Sequence, residues 1–420
     1  MPRRRPRRVK DMATFLFATT PVPAHTWNAQ TFAAGLTAAG HRVVWYAGDA
    51  FARDVARTGA EFRPFRRATQ PTTRGLDQLN TPLDVFDAFR FYFIGDAAAR
   101  ASDLTSLIHA ERPDALFTES LCFGAGLAAE AAGLPWASFG DGPLMYAEAD
   151  TPPFGSGLPF RTEPRHLRRN RVVSGVVRRG MRPARRSYDR ARADAGLPPQ
   201  RGPVLQANQS PHLHLHASVP GFEYTRAHLP AHVHFIGAIQ PFRPEPFEPP
   251  PGWAELVAGR RRLAVITQGT LRDDPRELIR PALRALARLD VDVLVLTSRP
   301  SEAPPGVTAA YVPYEQALPH ASVLLTNGGF TGVTMALAHG VPVVQAGVTE
   351  EKSDIGARVA WSGAGVRLGT SRPSARAVRR AVRRVLEDPQ YATRAAVLQE
   401  EFARYDSGQL AITLLEDLIR

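Results

Sequence analysis

Short apolar runs alternate with longer amphipathic segments along most of the chain. In the N-terminal half, several apolar runs have the length of buried strands. They are ATFLFATT, RVVWYAG, RPDALFTES, AAGLPWASFGDGP and PHLHLHASVP. Between them lie segments with helical periodicity, such as AHTWNAQTFAAGLTAAGH and GAGLAAEAAGL. Strands that alternate with helices predict a parallel sheet covered on both faces.

The same alternation begins again after a proline-rich stretch at residues 240–253. The strands predicted beyond it are RRLAVITQGT, VDVLVLTSR, TAAYVPY, ASVLLTN and VPVVQAG. A helical tail with a break near Asp388-Pro389 follows. Because 420 residues exceed one ordinary domain and proline-rich stretches are typical of linkers, we predict two doubly wound α/β domains that face a cleft. They cover residues 12–239 and 254–400, with residues 240–253 as the linker.

The net charge of +12 is concentrated in two segments. Six positive charges lie in the first ten residues, and we expect residues 1–11 to form a basic disordered tail. Twelve arginines lie between Arg161 and Arg192, and helical spacing predicts one basic stripe on a solvated helix face. The stripe consists of Arg178, Arg179, Arg182, Arg185, Arg186 and Arg190. No nucleic-acid-binding motif accompanies it, so we expect no nucleic-acid partner.

The remaining composition excludes several kinds of site. One cysteine, Cys122, excludes an internal disulfide and fits a reducing, cytoplasmic location. No apolar stretch approaches the length of a membrane span, so we expect no integral membrane association. His212, His214 and His216 would share one face of a strand, but no fourth ligand follows at a diagnostic spacing, so we expect no metal. A homodimer is left open.

Polar or glycine-rich turns follow four of the predicted strands, at residues 19–27, 119–126, 268–274 and 327–331. In doubly wound sheets, ligands bind beyond the carboxyl ends of the strands. The last turn lies within LLTNGGFTGVTMALAHGVPVV, where backbone N–H groups at a helix start could hold an anion. It lacks the Gly-Lys-Ser/Thr of the phosphate loop and the glycine spacing of the dinucleotide fingerprint. A plain tight turn is the alternative.

The segment Tyr311 to Leu368, YVPYEQALPHASVLLTNGGFTGVTMALAHGVPVVQAGVTEEKSDIGARVAWSGAGVRL, resembles the donor-sugar signature of the family 1 glycosyltransferases. The likeness is greatest to the bacterial macrolide and natural-product branch. It extends more weakly to TTPVPAHTWNAQTFAAGLTAAGH, SVPGFEYTRAHLPAHVHFIG and AVITQGT, and so covers nearly the whole chain. The resemblance implies the GT-B architecture, with an N-terminal acceptor-binding domain and a C-terminal nucleotide-sugar-binding domain. Residues 401–420 are expected to pack back on the N-terminal domain.

The resemblance also assigns a donor site, with a diphosphate held at a turn where the family usually has histidine in place of Asn327. The residues implied around the diphosphate are Gln268, Gly269, Thr270, Asn327, Gly328, Gly329, Phe330 and Thr331. Tyr311 falls where the family stacks a ring on the nucleotide base, and Val312 where backbone groups read the base edge. Glu351 and Lys352 occupy the place of the family's sugar-reading Asp-Gln pair.

The catalytic candidate is His25, which follows the first predicted strand in PVPAHTW. Glycosyl transfer needs a base to take the proton of the attacking group, and the unperturbed pKa of histidine, ~6.5, suits this role. His25 matches the family's Gly-His base, with Ala24 in place of the glycine. Glu119, after the strand DALFT, matches the aspartate that orients this histidine.

Together these features predict an inverting, metal-independent glycosyltransferase. It would move a sugar from a UDP- or TDP-linked donor to a small apolar acceptor such as a polyketide, macrolide or phenol, without a cofactor. Two alternatives stay open: a non-catalytic glycosyltransferase-like protein that activates a partner, and a nucleotide-sugar epimerase or hydrolase on a related fold. Asn327 and Lys352 favour the non-catalytic alternative, and His25 argues against it.

Overall fold

The computed structural model describes residues 12–69, 87, 89–146, 148, 150–269, 274–297 and 308–420, and contains two parallel sheets. The first sheet consists of β1 Thr14–Ala18, β2 Arg42–Ala47, β3 Glu61–Pro64, β4 Ala115–Glu119, β5 Trp136–Gly140, β6 Leu213–His216 and β7 Val233–Phe235. The second sheet consists of β8 Arg262–Thr267, β9 Val291–Leu296, β10 Thr308–Ala310, β11 Ala321–Thr326, β12 Val343–Gln345 and β13 Gly365–Arg367. The prediction of two doubly wound α/β domains is confirmed.

Helices cover the two sheets. In the N-terminal half they are α1 Pro23–Ala38, α2 Ala52–Ala56, α3 Ala97–Glu111, α4 Ala125–Ala131, α5 Pro164–Gly180 and α6 Arg182–Asp194. In the C-terminal half they are α7 Trp253–Ala258, α8 Ile279–Leu286, α9 Tyr314–Ala317, α10 Phe330–Ala338, α11 Lys352–Ser362, α12 Ala375–Glu387, α13 Pro389–Phe402 and α14 Ser407–Leu418. The predicted break is confirmed, because Asp388 ends α12 and its side chain caps α13 at the Gln390 amide.

The order of the strands creates one switch point in each sheet. The first sheet has the order β3-β2-β1-β4-β5-β6-β7, and the second has the order β10-β9-β8-β11-β12-β13. The chain therefore reverses its direction of winding between β1 and β4, and again between β8 and β11. A crevice for a ligand opens at such a point, beyond the carboxyl ends of the strands.

All ten predicted strands are present, and three further strands were missed. The missed strands are β3, β7 and β13, which all lie at an edge of their sheet and have only three or four residues. An edge strand pairs on one side only and needs no long apolar run. The hydrophobic pattern therefore carries little signal for these strands.

Aromatic side chains fill the space between the first sheet and α1. Phe117 of β4 contacts Phe17 of β1 and Phe32 of α1, with ring centroids 5.0 and 5.6 Å apart. Phe139 of β5 also contacts Phe32, at 5.4 Å. All four rings are buried. Edge-on aromatic packing of this kind stabilises the region around the β1–β4 switch point.

The two halves are joined by a buried ion pair between α11 and a loop of the N-terminal half. The guanidinium of Arg358 donates to both carboxylate oxygens of Glu223, at 3.0 and 2.9 Å. Glu223 also accepts from the Leu144 amide, at 3.0 Å, and from Arg226, at 3.3 Å. Burial by itself raises the pKa of Glu223, but Arg358, the bond to His216 and Arg226 outweigh it and hold the pKa well below its usual range.

The last helix returns to the N-terminal half. Helix α14 packs on α1, where Gly35 leaves room for the side chain of Ile412. His41 lies 3.0 Å from Glu416 of the same helix. The chain therefore passes between the two halves twice, through residues 240–252, which form no helix or strand, and through the turn between α13 and α14.

The arginine-rich segment differs from its prediction. Its arginines divide between α5 and α6, which meet at the buried Met181, instead of forming one stripe. Pro183 explains the break, because proline cannot donate the hydrogen bond that would continue the first helix. Elsewhere, no helix in the described parts of the chain is long and apolar enough to cross a membrane.

The interface pair gives a first prediction. We expect Arg358→Met to lower the free energy of unfolding by about 3 kcal/mol, because Glu223 would keep its burial and lose its strongest partner. Arg383→Met is the matched control, since Arg383 forms an exposed pair with Glu387 that contributes less than about 1 kcal/mol. Urea denaturation of both variants measures the difference. Equal losses in the two variants would contradict a stabilising role of the interface pair.

Candidate active site

His25 lies at the switch point of the first sheet, in the first turn of α1. Pro23 begins the helix, at a position where the missing N–H group costs nothing. The His25 side chain is 17% exposed, so one edge of the ring faces the cleft. Its position is therefore set by the sharp turn from β1 into α1.

The hydrogen-bonding partner of His25 is Asp141, which the sequence analysis did not select. The His25 Nδ1 atom lies 3.1 Å from Asp141 Oδ1 and 3.8 Å from Glu119 Oε2. A hydrogen bond to a carboxylate places the ring proton on Nδ1 and leaves Nε2 as the atom that can accept a proton. Asp141 directly follows β5 in WASFGDG, so its position after a buried strand was the available signal.

Glu119, the expected partner of His25, lies farther from it than Asp141 and is held by the neighbouring turns. The Thr20 amide and hydroxyl donate to its Oε1 atom, at 3.1 and 2.6 Å, and the Leu121 amide donates to Oε2 at 2.5 Å. Glu119 is completely buried at the end of β4. It therefore joins the turns after β1 and β4, and its charge acts on His25 from a second position.

The charges of three carboxylates act on the imidazole, those of Asp141, Glu119 and Glu351. Burial by itself lowers the pKa of His25, but the negative charges of Asp141 and Glu119, the bond to Asp141 and the charge of Glu351 outweigh it. Together they raise the pKa of His25 to about 10. Burial also raises the pKa of Glu351, which lies just before α11 in the C-terminal half. These charges stabilise the imidazolium form of His25, and the neutral ring that can act as a base becomes more populated as the pH rises.

The glycine turn lies at the switch point of the second sheet, between β11 and α10. Gly328 has a φ of +98°, and an added Cβ there would come within 2.6 Å of the Gln345 side chain. Gly329 has a φ of −61°, and an added Cβ would meet nothing within 4 Å. The first amide of α10 with an acceptor inside the helix is that of Val333, which donates to Gly329 O. Among the described residues, the amides of Phe330, Thr331 and Gly332 have no hydrogen-bonding partner, and unpaired amides at a helix start can hold an anion.

The Asn327 side chain is turned toward the neighbouring turn after β8. Its Nδ2 atom donates to the carbonyl of Gln268. Its Oδ1 atom is buried and, among the described residues, has no hydrogen-bonding partner. Gly269 adopts a φ of +74° beside this amide. The turns after β8 and β11 are therefore joined through Asn327, while Thr270 lies outside the described residues.

Two of the implied donor residues support the turns with their side chains. The Gln268 Oε1 atom accepts from the Leu278 amide, at 3.1 Å, and its Nε2 atom donates to Asp274 O, at 2.7 Å. The ring of Phe330 is buried against His216 and Phe222, with centroids 6.1 and 6.4 Å apart. These side chains shape the turns, and their backbone groups remain the candidates for contact with a diphosphate.

Tyr311 presents an exposed ring beside the second sheet. The ring is 66% exposed, and its neighbour Val312 is buried. The guanidinium of Arg243 lies 5.8 Å from the ring centre and donates to the tyrosine hydroxyl at 3.2 Å. An exposed aromatic face next to a cation suits a planar nucleotide base.

Glu351 and Lys352, the two residues expected to contact the sugar, lie in different environments. Lys352 is buried, and its ammonium group pairs with Glu350. Burial raises the pKa of Glu351, and the charges of His25 and Asp141 also act on it. Of the two side chains, Glu351 is the one whose pKa responds to the His25–Asp141 pair.

Two further residues of the site were missed by the sequence analysis. The Gln345 Nε2 atom, at the end of β12, lies 3.2 Å from Asn327 O and 3.0 Å from Gly347 O. Asn28 of α1 contacts both Asp141 and Thr331. Amide side chains in apolar surroundings give no distinctive sequence pattern, so neither residue could be selected in advance.

Two of the alternating histidines, His214 and His216, form hydrogen bonds in the protein interior. His214 lies 2.8 Å from the Ser138 hydroxyl, and His216 lies 3.2 Å from Glu223. Burial lowers the pKa of His214 well below its usual range. Within the described residues, no group of three histidine, cysteine, aspartate or glutamate side chains is arranged to hold a metal.

Comparison with known proteins places this site in a family. Residues 280–418 match the family described as "Erythromycin biosynthesis protein CIII-like, C-terminal domain". The 4'-demethylrebeccamycin synthase of Lentzea aerocolonigenes is 39% identical over 420 residues, which cover 97% of this chain and 100% of that protein. The calicheamicin glycosyltransferase CalG4 has a similar fold, with a TM-score of 0.75 at 18% identity over 97% of this chain and 98% of its own.

A second solved structure, SsfS6 of Streptomyces sp. SF2575 in complex with thymidine diphosphate, gives a TM-score of 0.68 at 19% identity. The match covers 96% of this chain and 99% of that one. Two parallel-sheet domains of this kind are the GT-B fold, which the chain shares with these two solved structures. The chain belongs to the bacterial natural-product glycosyltransferases, and the resemblance seen in the sequence is confirmed.

The glycine turn gives a second prediction. We expect Gly329→Val to weaken UDP and TDP binding by more than about tenfold, because the side chain would occupy the open space in front of the α10 amides. Its cost in stability should stay near 0.5–1 kcal/mol, since valine is a poor N-cap. Calorimetric titration and melting curves measure the two effects. Gly328→Ala is the control and should damage folding more, because of its positive φ and the Gln345 contact. Unchanged nucleotide binding in a folded Gly329→Val variant would show that the stretch is only a turn.

The carboxylates around His25 give a third prediction. We expect the imidazole to titrate near pH 10 in an NMR titration, with its signal assigned by its loss in His25→Gln. Asp141→Asn should lower the midpoint, because it removes the largest of the charges that raise it. Glu351→Gln should lower it less, since that charge contributes least. A midpoint near 6.5 in the unmodified protein would contradict this environment.

Proposed function

We propose that the protein is an inverting, metal-independent glycosyltransferase in which His25 is the general base and Asp141 orients it. The observation that carries the proposal is the 3.1 Å pair of His25 and Asp141, which lies across the cleft from the N-terminus of α10. The contact between Asn28 and Thr331, at 3.2 Å, brings these two parts of the site together. A proton acceptor and an anion-binding turn thus lie on opposite sides of one reaction space.

This arrangement suits a single displacement. The hydrogen of the acceptor group passes to Nε2 of His25, while the acceptor atom forms a bond to the anomeric carbon. The bond between that carbon and the diphosphate oxygen breaks, and its electron pair stays on the diphosphate. Because attack and departure occur on opposite faces of the sugar, the configuration inverts. Asp141 stabilises the imidazolium that forms, as in other base–carboxylate pairs.

The leaving diphosphate would be held by the amides of the glycine turn and by the positive end of α10. The solved relative bound to thymidine diphosphate and a curated relative named UDP-glycosyltransferase 2, from Phaeomoniella chlamydospora, support a nucleoside diphosphate donor of this class. We propose that the nucleotide base stacks on the ring of Tyr311 and that the sugar hydroxyls donate to the carboxylate of Glu351. No step of this scheme requires a divalent cation.

The acceptor is proposed to be an apolar natural product. The ring of Phe89 contacts those of Phe123 and Phe154, with centroids 6.4 and 6.2 Å apart, and Phe123 belongs to the turn that follows β4. Small-molecule sites are mostly apolar with a few polar groups that set orientation. The name of 4'-demethylrebeccamycin synthase supports an acceptor of this kind. The hydrogen-bonded pair of His25 and Asp141 favours a catalytic protein over a non-catalytic partner protein.

The decisive experiment compares the unmodified protein with His25→Ala. Both are incubated with UDP- and TDP-sugars and a panel of aromatic and macrolide acceptors in the presence of EDTA, and products are detected by mass. We expect transfer by the unmodified protein and a loss of about 10²–10⁴-fold in His25→Ala. Donor affinity should be nearly unchanged, because the diphosphate turn lies in the other domain. Equal turnover of the two proteins would refute the assignment of the base, and a requirement for added Mg²⁺ or Mn²⁺ would refute metal independence.

A further inference from the structure

Asn28 takes no part in the chemical step of the proposed mechanism, but its side chain contacts both domains. It lies one turn beyond His25 on α1 and is 8% exposed. Its Nδ2 atom is 2.9 Å from Asp141 Oδ2 and 3.2 Å from Thr331 Oγ1. Asp141 belongs to the N-terminal half, and Thr331 belongs to the glycine turn of the C-terminal half. One amide group therefore spans the cleft.

We propose that Asn28 is a positioning residue, which couples the diphosphate-binding turn to the orientation of the catalytic base. The proposal rests on the proposed function and adds a connection between its two halves. An amide nitrogen carries two hydrogens, and here each one is directed at a different domain. No other side chain is assigned to this connection by the proposed mechanism.

On the side of the base, Asn28 holds one oxygen of the carboxylate and leaves the other for His25. Its bond to Asp141 Oδ2 fixes the rotation of the carboxylate, so that Oδ1 lies opposite His25 Nδ1 at 3.1 Å. Without this bond the carboxylate could rotate, and the imidazole would lose its fixed partner. The orientation of Nε2 toward the acceptor depends on that partner.

On the side of the donor, Asn28 fixes the direction of the Thr331 hydroxyl. Because the Thr331 oxygen accepts from the amide, its own hydrogen is left to donate to another acceptor. A phosphate oxygen in front of α10 is such an acceptor. A series of hydrogen bonds then runs from the diphosphate through Thr331, Asn28 and Asp141 to His25. This series is complete only when the two domains are in contact.

The other charges around His25 do not depend on Asn28. Glu119 is held by Thr20 and by the Leu121 amide, and Glu351 lies just before α11 in the opposite half. Removal of Asn28 thus frees Asp141 alone among the three carboxylates. The pKa of His25 should then fall, because Asp141 contributes the largest of the charges that raise it.

The test is Asn28→Leu, which keeps the branching and the number of heavy atoms of the side chain and removes the amide. We expect kcat to fall about tenfold or more, while the KM for the donor changes less than about threefold. The acid limb of the pH profile of kcat should move to lower pH. Gln30→Leu is the matched control, since Gln30 lies on the same helix and its amide donates to Asp54 O away from the cleft. A fall in kcat without a shift of the acid limb, or a fall equal to that of the control, would overturn the proposal.

A double-mutant cycle with Thr331→Val tests the connection itself. If Asn28 acts between the two residues, Thr331→Val should lower kcat less in the Asn28→Leu background than in the unmodified protein. Additive effects would overturn the coupling. If Asn28→Leu does not fold, Asn28→Gln replaces it in the cycle, because glutamine keeps the amide but displaces it by one methylene. The failure of the unmodified protein to transfer any sugar would refute the proposed function itself, whereas normal kinetics in Asn28→Leu beside an inactive His25→Ala would refute only the role of Asn28.

Discussion

The buried pair of Arg358 and Glu223 is the contact on which the geometry of the site depends. It joins α11 of the second domain to the first domain, in surroundings where an unpaired charge would be strongly unfavourable. Helix α11 begins directly after Glu351, so the same pair determines how closely that carboxylate approaches His25. The environment of the base in one domain is therefore set partly by the attachment of a helix in the other.

In the proposed mechanism, each domain supplies a different kind of chemistry at the switch point of its sheet. At the β1–β4 switch point, the short turn into α1 presents an imidazole among carboxylates. At the β8–β11 switch point, the turn into α10 presents backbone amides among glycines. Side chains suit proton transfer because their pKa values respond to their surroundings, whereas backbone amides suit a diphosphate because they carry partial charge without needing desolvation of an ion. The two roles differ because the turn after β1 positions a side chain, whereas the turn after β11 positions backbone amides.

Much of the fold could be predicted from the sequence, because the buried strands carry continuous apolar runs with helices between them. The missed strands β3, β7 and β13 are short edges, for which pairing partners matter more than composition. In the site, His25 and the glycine turn were identifiable, since each combines unusual residues with a strand end. The partner of His25 could not be identified, because Glu119 and Asp141 both lie at the ends of buried strands. Only the depth of each turn decides which carboxylate reaches the imidazole.

The two passages of the chain between the domains restrict how the cleft can open. One runs through residues 240–252, and the other through the turn between α13 and α14, which returns the chain to α1. Two covalent connections define an axis, so opening by rotation about that axis is easy, while twisting around any other direction stretches one connection. Rotation about that axis would separate Thr331 from Asn28, and the reverse rotation would restore the same contact.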